Sequence, residues 1–174
     1  ELAGATVDIT DVDDIDLGAS TITTAFTVNA TGAVTDSGTV SANGITTQIN
    51  AAGFDITLDE AASDYGTVEL AGATVDITDV DDIDLGTSTI TTAFTVNATG
   101  NVTNSGVISA DGVTTQVNAT GFDITLNQAN DFGTVELDGA NVDVTDVDDI
   151  ALGLSTITAT FDLIAGGAVT DSAV

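Results

Sequence analysis

Lysine, arginine and histidine are absent from all 174 residues, against 28 aspartates and glutamates, so the formal charge is −28. Without cationic side chains the chain cannot neutralise nucleic-acid phosphates or make a polybasic contact with anionic lipid. Nucleic acid is excluded as a partner. Nor can two side chains form a salt bridge, so each carboxylate must be hydrated, hydrogen-bonded, protonated or matched by a dissolved cation. Cysteine is also missing, which excludes disulfides and thiolate metal sites. Histidine, cysteine and lysine mechanisms are excluded by composition, and no enzymatic activity is expected. No apolar run approaches the ~18 residues that span a membrane, and no secretory signal pattern is present. Any export signal is expected outside this segment.

What is present is repetition. Glu-Leu-Ala-Gly-Ala-Thr-Val-Asp-Ile-Thr begins at Glu1 and again at Glu69, and a close relative begins at Glu136, giving periods of 68 and 67 residues. The chain reads as one continuous excerpt, 1–174, of a longer array, with repeats 1–68, 69–135 and 136–174 (partial). Val, Ile and Leu alternate with Thr, Asp and Ser, while helical stripes are missing, so strands and turns are expected almost throughout.

A shorter period lies inside the long one. Val28, Ile49, Leu70, Val96, Val117, Leu137 and Leu163 form one apolar series, and Val34, Ile56, Ile77, Val102, Ile124, Val144 and Val169 form a second. Their intervals predict an all-β parallel β-helix with about 21–26 residues per rung and three rungs per repeat. Phe26, Phe94 and Phe161 recur at the full period and are expected in the core. The first series is followed by Asn29, Asn50, Ala71, Asn97, Asn118, Asp138 and Ile164, which reads as an amide ladder at a coil corner. Asn29, Asn97, Asn101 and Asn118 also head N-glycosylation patterns, but Asn50 holds the same column without one, and the ladder is preferred.

The phrase Asp11-Val-Asp13-Asp14-Ile-Asp16-Leu-Gly18 returns at 79–86 and 146–153, the last copy carrying Ala151 in place of the fourth Asp. If Val12, Ile15 and Leu17 point inward, the aspartates face solvent on a protruding loop that recurs every third rung, roughly 14 Å apart. Asp11, Asp13, Asp14, Asp16, Asp79, Asp81, Asp82, Asp84, Asp146, Asp148 and Asp149 are therefore the candidate ligands for calcium or another hard cation. The spacing does not fit an EF-hand, because Ile15, Asp16 and Ile22 stand at ligand and turn-glycine positions, and a solvated acidic stripe is the competing reading. Asp55 with Asp76, and Asp123 with Asp143, are expected to stack as like charges on neighbouring rungs. Carboxylate pairs at glycosidase distances arise automatically in such a solenoid and carry no information.

The phrases Gly53-Phe-Asp-Ile-Thr-Leu-Asp-Glu-Ala-Ala-Ser-Asp-Tyr-Gly66, Gly72-Ala-Thr-Val-Asp-Ile-Thr78 and Asn97-Ala-Thr-Gly-Asn-Val-Thr103 resemble repeats of filamentous-haemagglutinin-like and autotransporter-type bacterial surface adhesins. The resemblance spans the segment and implies a right-handed parallel β-helix carried outside the cell as a shaft. A secreted or surface-attached structural role is therefore expected, with further repeats or neighbouring copies as partners and surface glycans or cell surfaces as targets of exposed loops. A filament joined end to end and a calcium-stabilised binding module are the alternatives.

Overall fold

The computed structural model describes residues 2–172. Among these residues there are fifteen strands and no helix. Every pairing between them is parallel. Period-two alternation decides what faces inward: in Ser20–Ala30 the side chains of Ile22, Phe26, Val28 and Ala30 are buried, while Thr21 and Thr23 are exposed. The longest strands, Asp64–Asp79 and Ile124–Asp146, run past register shifts at Gly72/Thr74 and Gly139/Asn141, where the neighbouring strand, between Ile90 and Ala93 or between Ile157 and Thr160, carries one extra residue.

The coils stack as a β-solenoid, and Ile49 lies directly against Leu70. One vertical column runs through Ile15, Val34, Ile56, Val75, Phe94, Thr115, Val135, Leu152 and Asp171, one residue from each of nine coils. Eight steps of ~4.8 Å make a stack about 38 Å high.

The register corrects the expected rung length. Vertical neighbours in this column lie 17 to 22 residues apart, as in Val135↔Leu152 and Val34↔Ile56. The 26-residue steps are not vertical contacts: Val96 sits on Ile77, not Leu70, and Leu163 sits on Val144, not Leu137. In the second series, Ile56 meets Val75 rather than Ile77. Three coils above Ile9 the chain reaches Leu70 by way of Val28 and Ile49, but the repeat counterpart of Ile9 is Ile77, seven residues further on. Seven residues are about a third of a coil. Each repeat therefore makes three and a third coils, and equivalent phrases are rotated by roughly 120° about the axis.

The core is almost wholly aliphatic, with Phe26, Phe94, Tyr65 and Phe132 as its largest buried side chains. Phe161, in the uppermost described coils, is 41% exposed rather than in the core. Thr47 and Thr115 also face inward, fully buried, in columns with Phe26 and Val68 and with Phe94 and Val135. Neither hydroxyl has a hydrogen-bond partner. Thr47→Val and Thr115→Val are expected to stabilise the protein by roughly 1 kcal/mol each, because a buried polar group without a partner is removed at nearly constant shape. A higher denaturant midpoint at unchanged m-value is the expected result; a lower one would show that the hydroxyls are satisfied.

Candidate functional site: the acidic turns

Each acidic phrase is a tight turn, not a protruding loop. Asp11 Oδ1 accepts from the Asp13 amide at 2.8 Å, as Asp79 Oδ1 does from Asp81 at 2.9 Å and Asp146 Oδ2 from Asp148 at 3.1 Å. The second aspartate of each pair reaches the coil above: Asp14 Oδ1 accepts from Ala33 N at 2.8 Å, Asp82 Oδ1 from Asn101 N at 2.6 Å, and Asp149 Oδ1 from Ala168 N at 2.6 Å. Thr31 donates its hydroxyl to Val12 O at 2.8 Å, and Thr99 does the same to Val80 O. A glycine closes the contact, since a Cβ on Gly32 would lie 2.5 Å from Asp13 O and Asp14 N.

Val12 does not point inward; it is 75% exposed, and Val80 and Val147 are exposed at the same place. The backbone turns so sharply here that alternation breaks, and only Leu17, Ile83, Leu85 and Ile150 are fully buried anchors. Asp79 and Asp146 are buried, against the expectation that the whole phrase faces solvent. The rotation also places the three phrases on different sides of the stack instead of in one stripe. The extra residues carry the chain round the additional third of a coil.

Carboxylates are mostly interleaved with donors rather than with one another. Asp55 accepts from the Thr74 amide at 3.1 Å, and Asp76 pairs with Thr57 below and Thr95 above. Asp123 likewise accepts from Asn141 N at 3.0 Å, so neither expected like-charge pair stacks. Asp84 lies between Thr67 and Thr103, accepting from both hydroxyls at 3.1 and 3.2 Å and from Ser105 at 2.5 Å. Gln48 donates to Glu69 at 2.6 Å and Gln116 to Glu136 at 2.5 Å. Asp16 is bound by the Ser37 hydroxyl at 2.6 Å and by the Gly18 and Ser37 amides, which holds its carboxyl below the usual range. Threonine and glutamine thus supply the donors that absent lysines cannot.

The amide ladder is broken by the same rotation. Asn29 stacks on Asn50, and Asn97 on Asn118 and Asp138, but Ala71 and Asn97 are not neighbours. These residues lie within or at the ends of strands, and no hydrogen bond joins the Asn29 and Asn50 or the Asn97 and Asn118 side chains.

Among the described residues, one group of three carboxylates is close enough together to hold a cation. An oxygen from each of Asp64, Asp79 and Asp81 lies within 4.8 Å of the others. Asp79 is fully buried, its Oδ2 accepting from Tyr65 N at 2.6 Å, and burial pushes its carboxyl up to about 6. Burial, then the Asp81 charge, raises Asp64 as well. Asp131, Asp146 and Asp148 hold the same positions one repeat later: Phe132 N donates to Asp146 at 2.7 Å, and burial followed by the Asp148, Asp111 and Asp146 charges raises Asp131. Of the eleven aspartates singled out from sequence, only Asp79 and Asp81 belong to the three-carboxylate cluster, which the second repeat does not rebuild at the same closeness. Asp64 and Asp131 were missed, although their 67-residue spacing marks them as repeat positions.

Residues 4–71, 72–137 and 139–174 each match a family model described as repeats of unknown function (DUF5649). The chain belongs to the DUF5649 repeats. No curated protein and no solved structure matches it. The three matched stretches follow the 68- and 67-residue periods, so one DUF5649 unit is the three-and-a-third-coil block defined by the register.

The raised carboxyls set the pH dependence of this DUF5649 array. Asp36 and Asp79 both titrate near 6 when folded against an ordinary value of 3.8, so the folded chain binds protons more tightly. Their stabilising contribution is complete below about 3.8 and is lost as pH rises through about 6. Asp16 works in the opposite sense, contributing above its ordinary value and losing that contribution in stronger acid. Thermal stability is expected to be greatest near pH 4 and to decline towards pH 7. A melting temperature that rises steadily from pH 4 to 7 would contradict this assignment.

Proposed function

We propose that these DUF5649 repeats form a structural shaft, extracellular or attached to a cell surface, whose task is to hold a length rather than to turn over a substrate. The observation that supports this reading is the unbroken nine-coil column from Ile15 to Asp171. The one-third rotation adds to it, because turns, bulges and buried threonines are spread round the axis and no single side accumulates the weaker positions. Such an array extends in one dimension, each coil touching only its neighbours. Arrays of three, six and nine repeats should lengthen by about 16 Å per repeat in solution scattering, three and a third steps of ~4.8 Å. A length that saturates, or grows with the cube root of mass, would contradict a shaft. Surface labelling of intact cells tests the location.

A second reading, a cation-stabilised shaft, is favoured by the Asp64, Asp79 and Asp81 cluster. Three carboxylates suit a hard cation such as calcium, which takes six to eight oxygens. Asp79 already accepts two backbone hydrogen bonds, so water would have to complete the shell. Calcium is expected to raise the melting temperature over chelator at constant ionic strength, through a stabilisation of up to about 2.7 kcal/mol per site when present at a hundredfold excess over its Kd. Asp64→Asn should remove the difference. Equal melting temperatures with calcium and with chelator would remove the cation reading and leave the shaft intact.

A further inference from the structure

Inside the coil that carries Val34, Asp36 is 5% exposed and points into the stack. Its Oδ2 accepts from the Ser63 and Tyr65 hydroxyls, each at 3.3 Å, and the amides of Asp59 and Glu60 also donate to the carboxylate. Its Oδ1 is buried without a partner. Ser63 in turn accepts from Val40 N at 3.0 Å and its amide donates to Glu60 O at 2.9 Å, so a loop, residues 59–63, is folded over this one carboxylate.

The next repeat builds the same place without an ionisable group. Asn104 replaces Asp36, Asn130 replaces Ser63 and Phe132 replaces Tyr65, three coordinated changes. Asn104 donates to Asn130 Oδ1 at 2.8 Å, Ile108 N donates to the same oxygen at 3.0 Å, and Asn130 donates to Leu126 O at 3.0 Å. The loop is absent there: Ile124–Asp146 is one continuous strand. The carboxylate, both hydroxyls and the loop come together, and they disappear together. At the third occurrence of the position the chain has Asp171.

We propose that Asp36, Ser63 and Tyr65 form a proton-operated latch on the 59–63 loop, closed when Asp36 is protonated and loosened when it ionises, with Asn104, Asn130 and Phe132 as its pH-insensitive counterpart. The groups facing Asp36 set the sense of the switch. The Tyr65 hydroxyl comes from the strand above, Asp59 and Glu60 from the loop, Asp16 from the coil below next to Ser37, and Asp79 from behind Tyr65. All are acidic or neutral, and no cation is available to hold the ionised form. An ionised Asp36 keeps a buried oxygen without a donor, and opening the loop lets water reach it. Burial accordingly pushes the Asp36 carboxyl up to about 6.

The test is amide hydrogen exchange on the full chain, corrected for intrinsic rates, comparing residues 59–63 with 127–130. Protection at 59–63 should fall by up to tenfold per pH unit between about pH 4 and 6 and then level off, while 127–130 stays level. The variant Asp36→Asn, Ser63→Asn, Tyr65→Phe installs a trio already compatible with this fold and should remove the pH dependence at 59–63. Tyr65→Phe alone, which deletes one donor to the carboxylate, should deepen the fall and carry it to higher pH before it levels off. Matching pH profiles in the two segments, or an unchanged profile in the triple variant, would overturn the latch.

Discussion

Replacing Phe94 by Ala is expected to lower the unfolding free energy by about 3–5 kcal/mol, whereas Phe161→Ala, at the same repeat position, should cost only about 1 kcal/mol. The two rings differ in what lies above them. Phe94 is fully buried between Val75 below and Thr115 above. Phe161 sits on Val142, and among the described residues no strand pairs on its other side. A cavity opened at Phe94 is closed in on both axial sides and cannot collapse without breaking register. Denaturant titration of the two variants measures the contrast. Equal losses would mean that axial neighbours do not decide the cost, contrary to a stack of coils.

Gly100→Ala should destabilise by about 3 kcal/mol, with Gly32→Ala comparable, because the added methyl meets backbone and the whole turn must lift. A Cβ at Gly100 would stand 2.5 Å from Asp81 O and Asp82 N. Lifting the turn strains Asn101 N to Asp82 Oδ1 at 2.6 Å and Thr99 N to Asp79 O at 3.2 Å, the bonds that tie one coil to the next. Gly121→Ala is the control. That glycine has open space around it but a φ of +87°, so only backbone strain of roughly 1 kcal/mol is expected. A Gly100→Ala protein as stable as Gly121→Ala would show that the acidic turn and the glycine above it are not in contact.

The solenoid itself was legible, because alternation of β-branched residues states which side chains go inward, and Val28, Ile49 and Leu70 do stack as read. Which coil lies above which was not. Val, Ile and Leu are interchangeable in an aliphatic core, so Leu70 to Val96 looks like a long rung when it is one rung plus part of the next. The acidic phrase was found, but its turn geometry was not legible, for a related reason. Its hydrogen-bond donors are the backbone amides of Ala33, Asn101 and Ala168, nineteen residues away, and an amide leaves no mark in a sequence. The repeats differ in length by one residue where 59–65 stands against 127–132, and that place is a loop up to residue 63 in the first repeat and continuous strand in the second. Asp36 stayed hidden because burial of a lone Asp depends on the hydroxyls around it, which come from a later coil.

The three-and-a-third-coil repeat can be tested with a pair of cysteines, since the chain has none of its own. Thr78 and Asn97 are vertical neighbours in the register, whereas Ala71, the residue matching Asn97 at the 26-residue step, pairs with Thr89. Thr78→Cys with Asn97→Cys should form a disulfide under mild oxidation, as the Cα separation of adjacent strands permits. Ala71→Cys with Asn97→Cys should remain reduced. Cross-linking of the second pair and not the first would show that the repeat closes in three whole coils, and the rotated arrangement would be wrong.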